Sequence, residues 1–230
     1  MGQSAEGLRP VPGAAGRPGL LVAFEGIDGA GKSTQIRLLA SWLAEQGWPV
    51  TATREPTDGP CGRQLRQAAR SGRRLPLAEE LALFLADRRQ HVDEVLRPAL
   101  ANGRIVLTDR YYLSTVAYQG AAGGDPDEIL AMNEAFAPRP DLVLVLELPV
   151  SAGLARIERQ RGQGPDAFEQ GRFLERVAAI FQGLAMDGMR RLAAGGAPDE
   201  VQAAIRAEVT GLLRRRGWLA HDPRAEGMRE

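Results

Sequence analysis

The densest chemistry in the chain lies in nine consecutive residues, Gly26-Ile27-Asp28-Gly29-Ala30-Gly31-Lys32-Ser33-Thr34, which match G-x-x-x-x-G-K-[ST]. Glycines at these positions let the backbone curl so that successive N–H groups point inward onto phosphate oxygens, and the start of a helix adds partial positive charge. In that arrangement Lys32 bridges the β- and γ-phosphates of a nucleotide and Ser33 offers its hydroxyl to Mg²⁺. With 27 glycines and one lysine in 230 residues, the pattern is expected by accident only about 0.001 times. A glycine turn that merely starts a helix is therefore a poor rival.

Lys32 is also the only lysine: the other 28 of the 29 basic residues are arginine. The Asn-Lys-x-Asp segment by which P-loop GTPases read guanine, the strand lysine of protein kinases and a Schiff-base lysine would each need a second one. Nucleotide-dependent phosphoryl transfer remains the leading class, with adenine as the favoured base.

The loop needs a strand before it and a helix after it, and the neighbouring residues supply both. Leu20 to Phe24 is a short apolar run, and Gln35 to Leu43 is apolar at helical spacing. Further strands are expected over Pro49–Thr53, Arg104–Thr108 and the near-continuous apolar run Leu142–Leu148, with a weak edge strand over Met189–Leu192. Helices are expected over roughly 62–71, 77–101, from Tyr112 to a break at Gly120–Gly124, then over 126–136, 151–160, 169–186 and 198–214. The sequence thus predicts an α/β protein with a mostly parallel sheet of about five strands and helices on both faces. In such a sheet ligands sit at the carboxyl ends of the strands, so the loops after Phe24, Thr53, Thr108 and Leu148 are where chemistry belongs.

Composition narrows the rest. A net charge of zero and a pI near 6.8 give no footprint for nucleic acid. One cysteine, Cys61, and two histidines, His91 and His221, cannot make an intrachain disulfide or a Cys/His zinc cluster, so a reducing, cytoplasmic setting is expected. Residues 1–19 lack the regions of a signal peptide and read as a disordered tail, 20–215 as one domain, and 216–230 as a frayed terminus. No run of 18 apolar residues suggests a membrane span.

Beyond the loop, Arg54-Glu55-Pro56, Phe84 with Ala86-Asp87-Arg88, Asp109-Arg110-Tyr111 leading to Ser114-Thr115 and Tyr118-Gln119, and Arg139-Pro140-Asp141 follow in order. Together with FEGIDGAGKST they resemble the thymidylate kinases over about residues 20–186. Each later segment is weak alone, and their joint occurrence is strong. The resemblance implies a three-layer P-loop kinase fold, ATP and dTMP as substrates, Mg²⁺ as cofactor and a homodimer, for which the helix at 77–101 is long enough to offer a face.

The residue chemistry fits. Arg54 and Arg110, expected at strand ends beside the loop, have planar forks suited to an acceptor monophosphate. Asp109 closes its strand as a Walker-B-like carboxylate would, reaching Mg²⁺ through water. The resemblance implies that Asp28 contacts the acceptor sugar hydroxyl and helps order the reacting phosphates. It implies likewise that Phe84 stacks on thymine, though by itself Phe84 reads equally as core. Arg88, four residues on and on the same helical face, would donate to a thymine carbonyl. Tyr118 would crowd the sugar 2′ carbon, and Ser114 and Thr115 would read the base edge. The segment Arg156 to Arg161 with Gly162–Pro165 falls where relatives have a lid, about 156–169. Because Gly29 occupies the loop position that carries the catalytic arginine in some relatives, the lid would supply it, through Arg159 or Arg161; three arginines at a helix end also read as a solvated face.

The chain departs from the family pattern in three places. Thr57-Asp58 stands where many relatives have Gly-Gly, Asp166-Ala167-Phe168-Glu169 lacks an arginine of the lid pattern, and Arg190-Arg191-Leu192-Ala193-Ala194 replaces an apolar fifth strand. These leave two alternatives open: another nucleoside monophosphate or deoxynucleoside kinase, and a non-catalytic ATP-binding switch.

Overall fold

The computed structural model describes residues 17–72, 75–161 and 167–219, without the side chains of residues 160, 161, 167 and 168. Five parallel strands form one sheet in the order β2-β3-β1-β4-β5: β1 (Leu20–Glu25), β2 (Val50–Arg54), β3 (Ile105–Asp109), β4 (Leu142–Glu147) and β5 (Met189–Ala193). The helices are α1 (Lys32–Glu45), α2 (Pro60–Ser71), α3 (Leu77–His91), α4 (Arg97–Ala101), α5 (Tyr112–Ala121), α6 (Pro126–Glu134), α7 (Val150–Arg161), α8 (Ala167–Gly183) and α9 (Pro198–Arg215). Helices α3 and α4 are joined through a π-helical stretch, Val92–Leu96. The expected helix over 77–101 is thus continuous but changes phase there. Asp87, Arg88 and His91 are buried before that stretch, and Leu96 and Ala99 are buried within and after it.

All six residues of β1 are buried because both faces of the sheet are covered. Side chains alternate along the strand. Leu20, Val22 and Phe24 meet Ile36, Leu39 and Leu43 of α1 and Ile205, Val209 and Leu212 of α9. Leu21 and Ala23 meet the opposite layer, built from Val92, Leu96, Tyr112, Leu113, Leu174, Val177 and Phe181. Each fully buried Leu, Val or Phe contributes about 1.5–3 kcal/mol, so the three layers hold the central strands firmly. Register then sets the site: Phe24 and Arg54 both lie opposite Asp109, and Phe24 lies opposite Leu144.

β5 forms despite its two arginines. Arg191 donates to the carbonyls of Phe181, Gln182 and Leu184 at the end of α8 and pairs with Glu147 at 3.1 Å. A cation there satisfies carbonyls that the helix leaves unbonded. Arg190 reaches Glu208 of α9 at 3.3 Å, so a polar edge strand is fixed by its flanking helices.

The packed chain also runs past residue 215, where fraying is expected. Trp218 is buried and stacks on Trp48 with ring centroids 5.6 Å apart, and Arg216 pairs with Asp141. A single large aromatic packs without any periodicity to announce it. The remainder of the two expected tails, residues 1–16 and 220–230, lies outside the described residues. No helix among the described residues is long and apolar enough to cross a membrane.

Candidate active site

The motif at Gly26–Thr34 forms the turn between β1 and α1. Gly29 has φ +81, and a Cβ built there would stand 2.5 Å from the Gly153 carbonyl oxygen at the start of α7. The loop and α7 are therefore in backbone contact, and no side chain fits between them. Gly29→Ala is expected to destabilise the fold by about 1–3 kcal/mol and to lower Tm by several degrees, read by thermal melting with and without ATP. This contact also gives a physical reason why the loop carries no arginine at this position.

Lys32 is buried, and its Nζ donates to the carbonyls of Gly26 (3.0 Å) and Ile27 (2.9 Å). Burial, and then the nearby Arg110 charge, push its pKa down to about 8. The ammonium is consequently lost as pH rises through about 8 in the free protein. ATP affinity is expected to weaken between pH 7.5 and 9, a range in which ATP itself is fully ionised, and calorimetric titration at several pH values checks this. At the head of α1, Gly31 provides no side-chain cap, which leaves the first-turn amides directed at the loop.

Arg110 follows β3 with φ +69, alone among the described non-glycine residues in having positive φ. Its guanidinium donates to Asp28 Oδ1 (2.6 Å), Ser114 Oγ (2.8 Å), Tyr118 Oη (3.1 Å) and the Gly26 carbonyl (3.3 Å), and it lies 4.8 Å from the centroid of the Tyr118 ring. Burial would raise the Asp28 pKa, but Arg110 and Lys32 more than offset that and hold it at about 2. Tyr118 also donates to Asp28 Oδ2 at 3.1 Å. One residue before Arg110, the Asp109 carboxylate accepts from Ser33 Oγ. Lys32, Asp28, Arg110, Tyr118, Ser33 and Asp109 thus converge around one loop.

Arg54 stands on the adjacent strand end, its side chain 60% exposed, and pairs with Asp58 at 3.0 and 3.2 Å. Asp58 also takes Arg66 at 2.8 Å. An open cleft of about 760 Å³ connects Ser33 and Asp109 with Arg54 and Asp58, a volume suited to a nucleotide-sized ligand.

Other expected residues sit differently. Arg88 is buried and gives four of its five N–H groups to neighbours: two to Glu55 Oε2 (2.9 and 2.5 Å), one to Thr115 Oγ1 (2.9 Å) and one to Asn133 Oδ1. His91 completes this network, with Nδ1 2.9 Å from Glu55 Oε1 and Nε2 2.8 Å from Thr53 Oγ1. Burial would raise the Glu55 pKa, but Arg88 and His91 lower it below the ordinary value. Ser114 and Thr115 are buried and tied to Arg110 and Arg88, so their hydroxyls support arginines rather than lining the open cleft as a base edge would require. Phe84 is half-buried on α3.

In the lid segment, Arg159 Nε donates to the Ala155 carbonyl of its own helix, away from the phosphate loop. Arg156 turns inward instead, donating to the carbonyls of Gly29 (3.2 Å) and Ala194 (3.0 Å). The side chain of Arg161 and residues 162–166 lie outside the described residues. Sequence reasoning counted Arg156 among the lid arginines without selecting it; its position one helical turn after Ala152 and Gly153, which pack beside the loop, is the signal that could have done so.

A five-stranded parallel sheet covered on both faces, with the lysine-bearing loop at the end of its central strand and arginines at the ends of the two strands on one side of it, β3 and β2, defines a P-loop kinase of the three-layer α/β class. The Thymidylate kinase family model matches residues 24–205. Among curated proteins, the chain is 49% identical over 197 residues to "Thymidylate kinase" of Desulfotalea psychrophila, covering 86% of this chain and 97% of that one. It is 51% identical over 195 residues to the protein of the same name from Xanthomonas campestris pv. campestris, and 50% identical to that from Xanthomonas oryzae pv. oryzae, with 85% of each chain covered in both cases. The chain belongs to the thymidylate kinase family.

Proposed function

We propose that this protein transfers the γ-phosphoryl group of ATP to dTMP, giving dTDP and ADP. A phosphate oxygen of the acceptor attacks the γ-phosphorus while the bond to the β–γ bridging oxygen breaks, so that ADP leaves with that electron pair. Such transfer depends mostly on alignment and on stabilising charge, and the site is suited to both. The observation that carries the reading is Arg110, a half-buried fork locked by four hydrogen bonds beside Asp28 and the Lys32 loop. Arg110 and Arg54 hold the acceptor phosphate, Lys32 follows the moving phosphoryl group, and Asp28 orders the sugar side. Phe84 and Tyr118 meet the base and sugar. Arg88 takes part through its remaining N–H and its hold on Thr115. In the lid, Arg156 lies against the donor loop, and Arg159 or Arg161 supplies the further catalytic cation.

Ser33 Oγ and the Asp109 carboxylate are hard oxygen donors already in contact. Among the described residues no group of three or more His, Cys, Asp or Glu could hold a metal. That donor set fits Mg²⁺, which favours one or two protein oxygens with phosphates and water over an all-protein cage. Bound there, Mg²⁺ would neutralise phosphate charge. The protein is expected to act in the cytoplasm as a homodimer; the half-buried leucines Leu77, Leu81 and Leu85, one turn apart on α3, offer an apolar contact, and sedimentation equilibrium reads the state directly.

The test is an acceptor panel in a coupled ADP assay with ATP and Mg²⁺. Preferential turnover with dTMP over dUMP, dCMP, AMP and thymidine is expected, and equal ADP release with every acceptor or with none would sink the reading. Removing the charge of Arg54 is expected to cost much of kcat/KM for dTMP. An unphosphorylated acceptor would be indifferent to the change.

A further inference from the structure

Glu25 ends β1 immediately before the phosphate loop, fully buried, and takes no part in the reaction as assigned above. Its Oε1 accepts the backbone N–H of Tyr111 (3.0 Å) and of Ser114 (3.2 Å), and its Oε2 accepts the Ser114 hydroxyl. Tyr111 is the N-cap of α5 and provides no side-chain cap. A carboxylate from another strand therefore caps this helix, accepting the Tyr111 amide and sharing the Ser114 amide with the Tyr111 carbonyl, which lies 3.1 Å from it.

Arg110 lies between β3 and that cap, in a left-handed conformation unfavourable for a side chain of its size. The hydrogen-bond direction through Ser114 is forced. Arginine can only donate and an ionised carboxylate can only accept. Ser114 must therefore accept from Arg110 Nη1 and give its own proton to Glu25. An amide or a protonated carboxyl at position 25 can present a donor to Ser114, which would compete with Arg110 and strand the serine proton.

We propose that Glu25 is a positioning residue for phosphoryl transfer, whose ionised carboxylate sets α5 and Ser114 so that Arg110 is held toward Asp28 and the acceptor phosphate. The proposal rests on the reading of Arg110 given above. The charged and titratable groups around Glu25 are Lys32 from α1, Arg110 from the turn after β3, and Tyr112 from α5. Burial raises the Glu25 pKa to about 7, with Ser114, Arg110 and Lys32 acting against the rise. Because that value exceeds the unfolded one of 4.5, the folded state binds more protons in between. The contribution of this group to stability accordingly falls as pH rises from about 4.5 through 7. Ionised Glu25 is kept at some cost to stability, as a functional role would require.

Glu25→Gln, Ser114→Ala and the double variant test this. Glu25→Gln is expected to raise the KM for dTMP about tenfold or more, to leave the KM for ATP within about twofold, and to melt no lower than wild type at pH 8. The wild-type decline in kcat/KM for dTMP as pH falls through 7 is expected to flatten in this variant, and Ser114→Ala should reproduce the KM change with little added by the second substitution. A Glu25→Gln protein with wild-type KM and pH profile, or with both KM values raised in parallel and a lowered Tm, overturns the proposal. If Glu25→Gln does not fold, Ser114→Ala decides: an unchanged KM for dTMP overturns it. A separate readout isolates the underlying assignment. The Arg110 side-chain N–H resonances of wild type are expected to shift as Glu25 titrates, and not in Glu25→Gln. If they shift while Arg110→Lys leaves the dTMP KM unchanged, the relay stands and the acceptor role of Arg110 fails; if they do not shift, the relay fails.

Discussion

Replacing Lys32 with arginine is expected to lower turnover by about 10³-fold, the scale of losing one preorganised donor to a developing negative charge, with melting behaviour close to wild type in the absence of ATP. The reason is geometric. Lys32 is buried under its own loop, with Nζ 3.0 and 2.9 Å from two loop carbonyls. An ammonium is compact, and its three donors turn freely to exchange those carbonyls for phosphate oxygens. A guanidinium is wider, planar and fixed in direction, so it fills the space the phosphates need. Steady-state kinetics with saturating dTMP, together with a melt, checks the pair of expectations. An active Lys32→Arg protein would show that the single lysine of this arginine-rich chain has no special task.

Replacing Arg110 with lysine is expected to cost about 10²-fold or more in kcat/KM for dTMP, the scale of losing one preorganised donor to a developing negative charge. Lysine keeps the charge and bears the same left-handed backbone, so the substitution isolates the fork. A single ammonium cannot serve Asp28, Ser114, Tyr118 and the Gly26 carbonyl together, and Asp28 would lose its fixed orientation. The loss should fall on the acceptor and leave ATP affinity nearly unchanged, which separate titrations of ATP and dTMP distinguish. A comparable change at Arg54, more than half exposed and paired with the exposed Asp58, is expected to be milder.

Much of the fold was legible because its signals are local. An apolar run such as Leu142–Leu146 reads as a strand covered on both faces, and all five of those residues are buried. The helix at 77–101 was expected from composition, but its π-helical middle was not, because a change of phase depends on what the helix meets. β5 was only weakly indicated, since Arg190 and Arg191 oppose a strand until the α8 carbonyls and Glu208 give them partners. Trp218 could not be assigned to the core from sequence, because its partner, Trp48, lies 170 residues earlier.

The amino-acid sequence alone determined the phosphate loop, the only lysine to serve it and the alternation of strands and helices that puts the loop at a sheet's carboxyl edge. These features depend on residue type and short spacing. Tertiary structure decided which arginines do what. Arg54, Arg88, Arg110, Arg156 and Arg159 carry the same chemical group, yet one is exposed, one is buried in the Glu55 network, one is locked beside the loop, one bridges Gly29 and Ala194, and one turns back on its own helix. What a guanidinium does is set by its acceptors. Those of Arg88 and Arg110 include residues 33 and 82 positions away in the chain, brought near by strand register and helix packing, which no local spacing encodes.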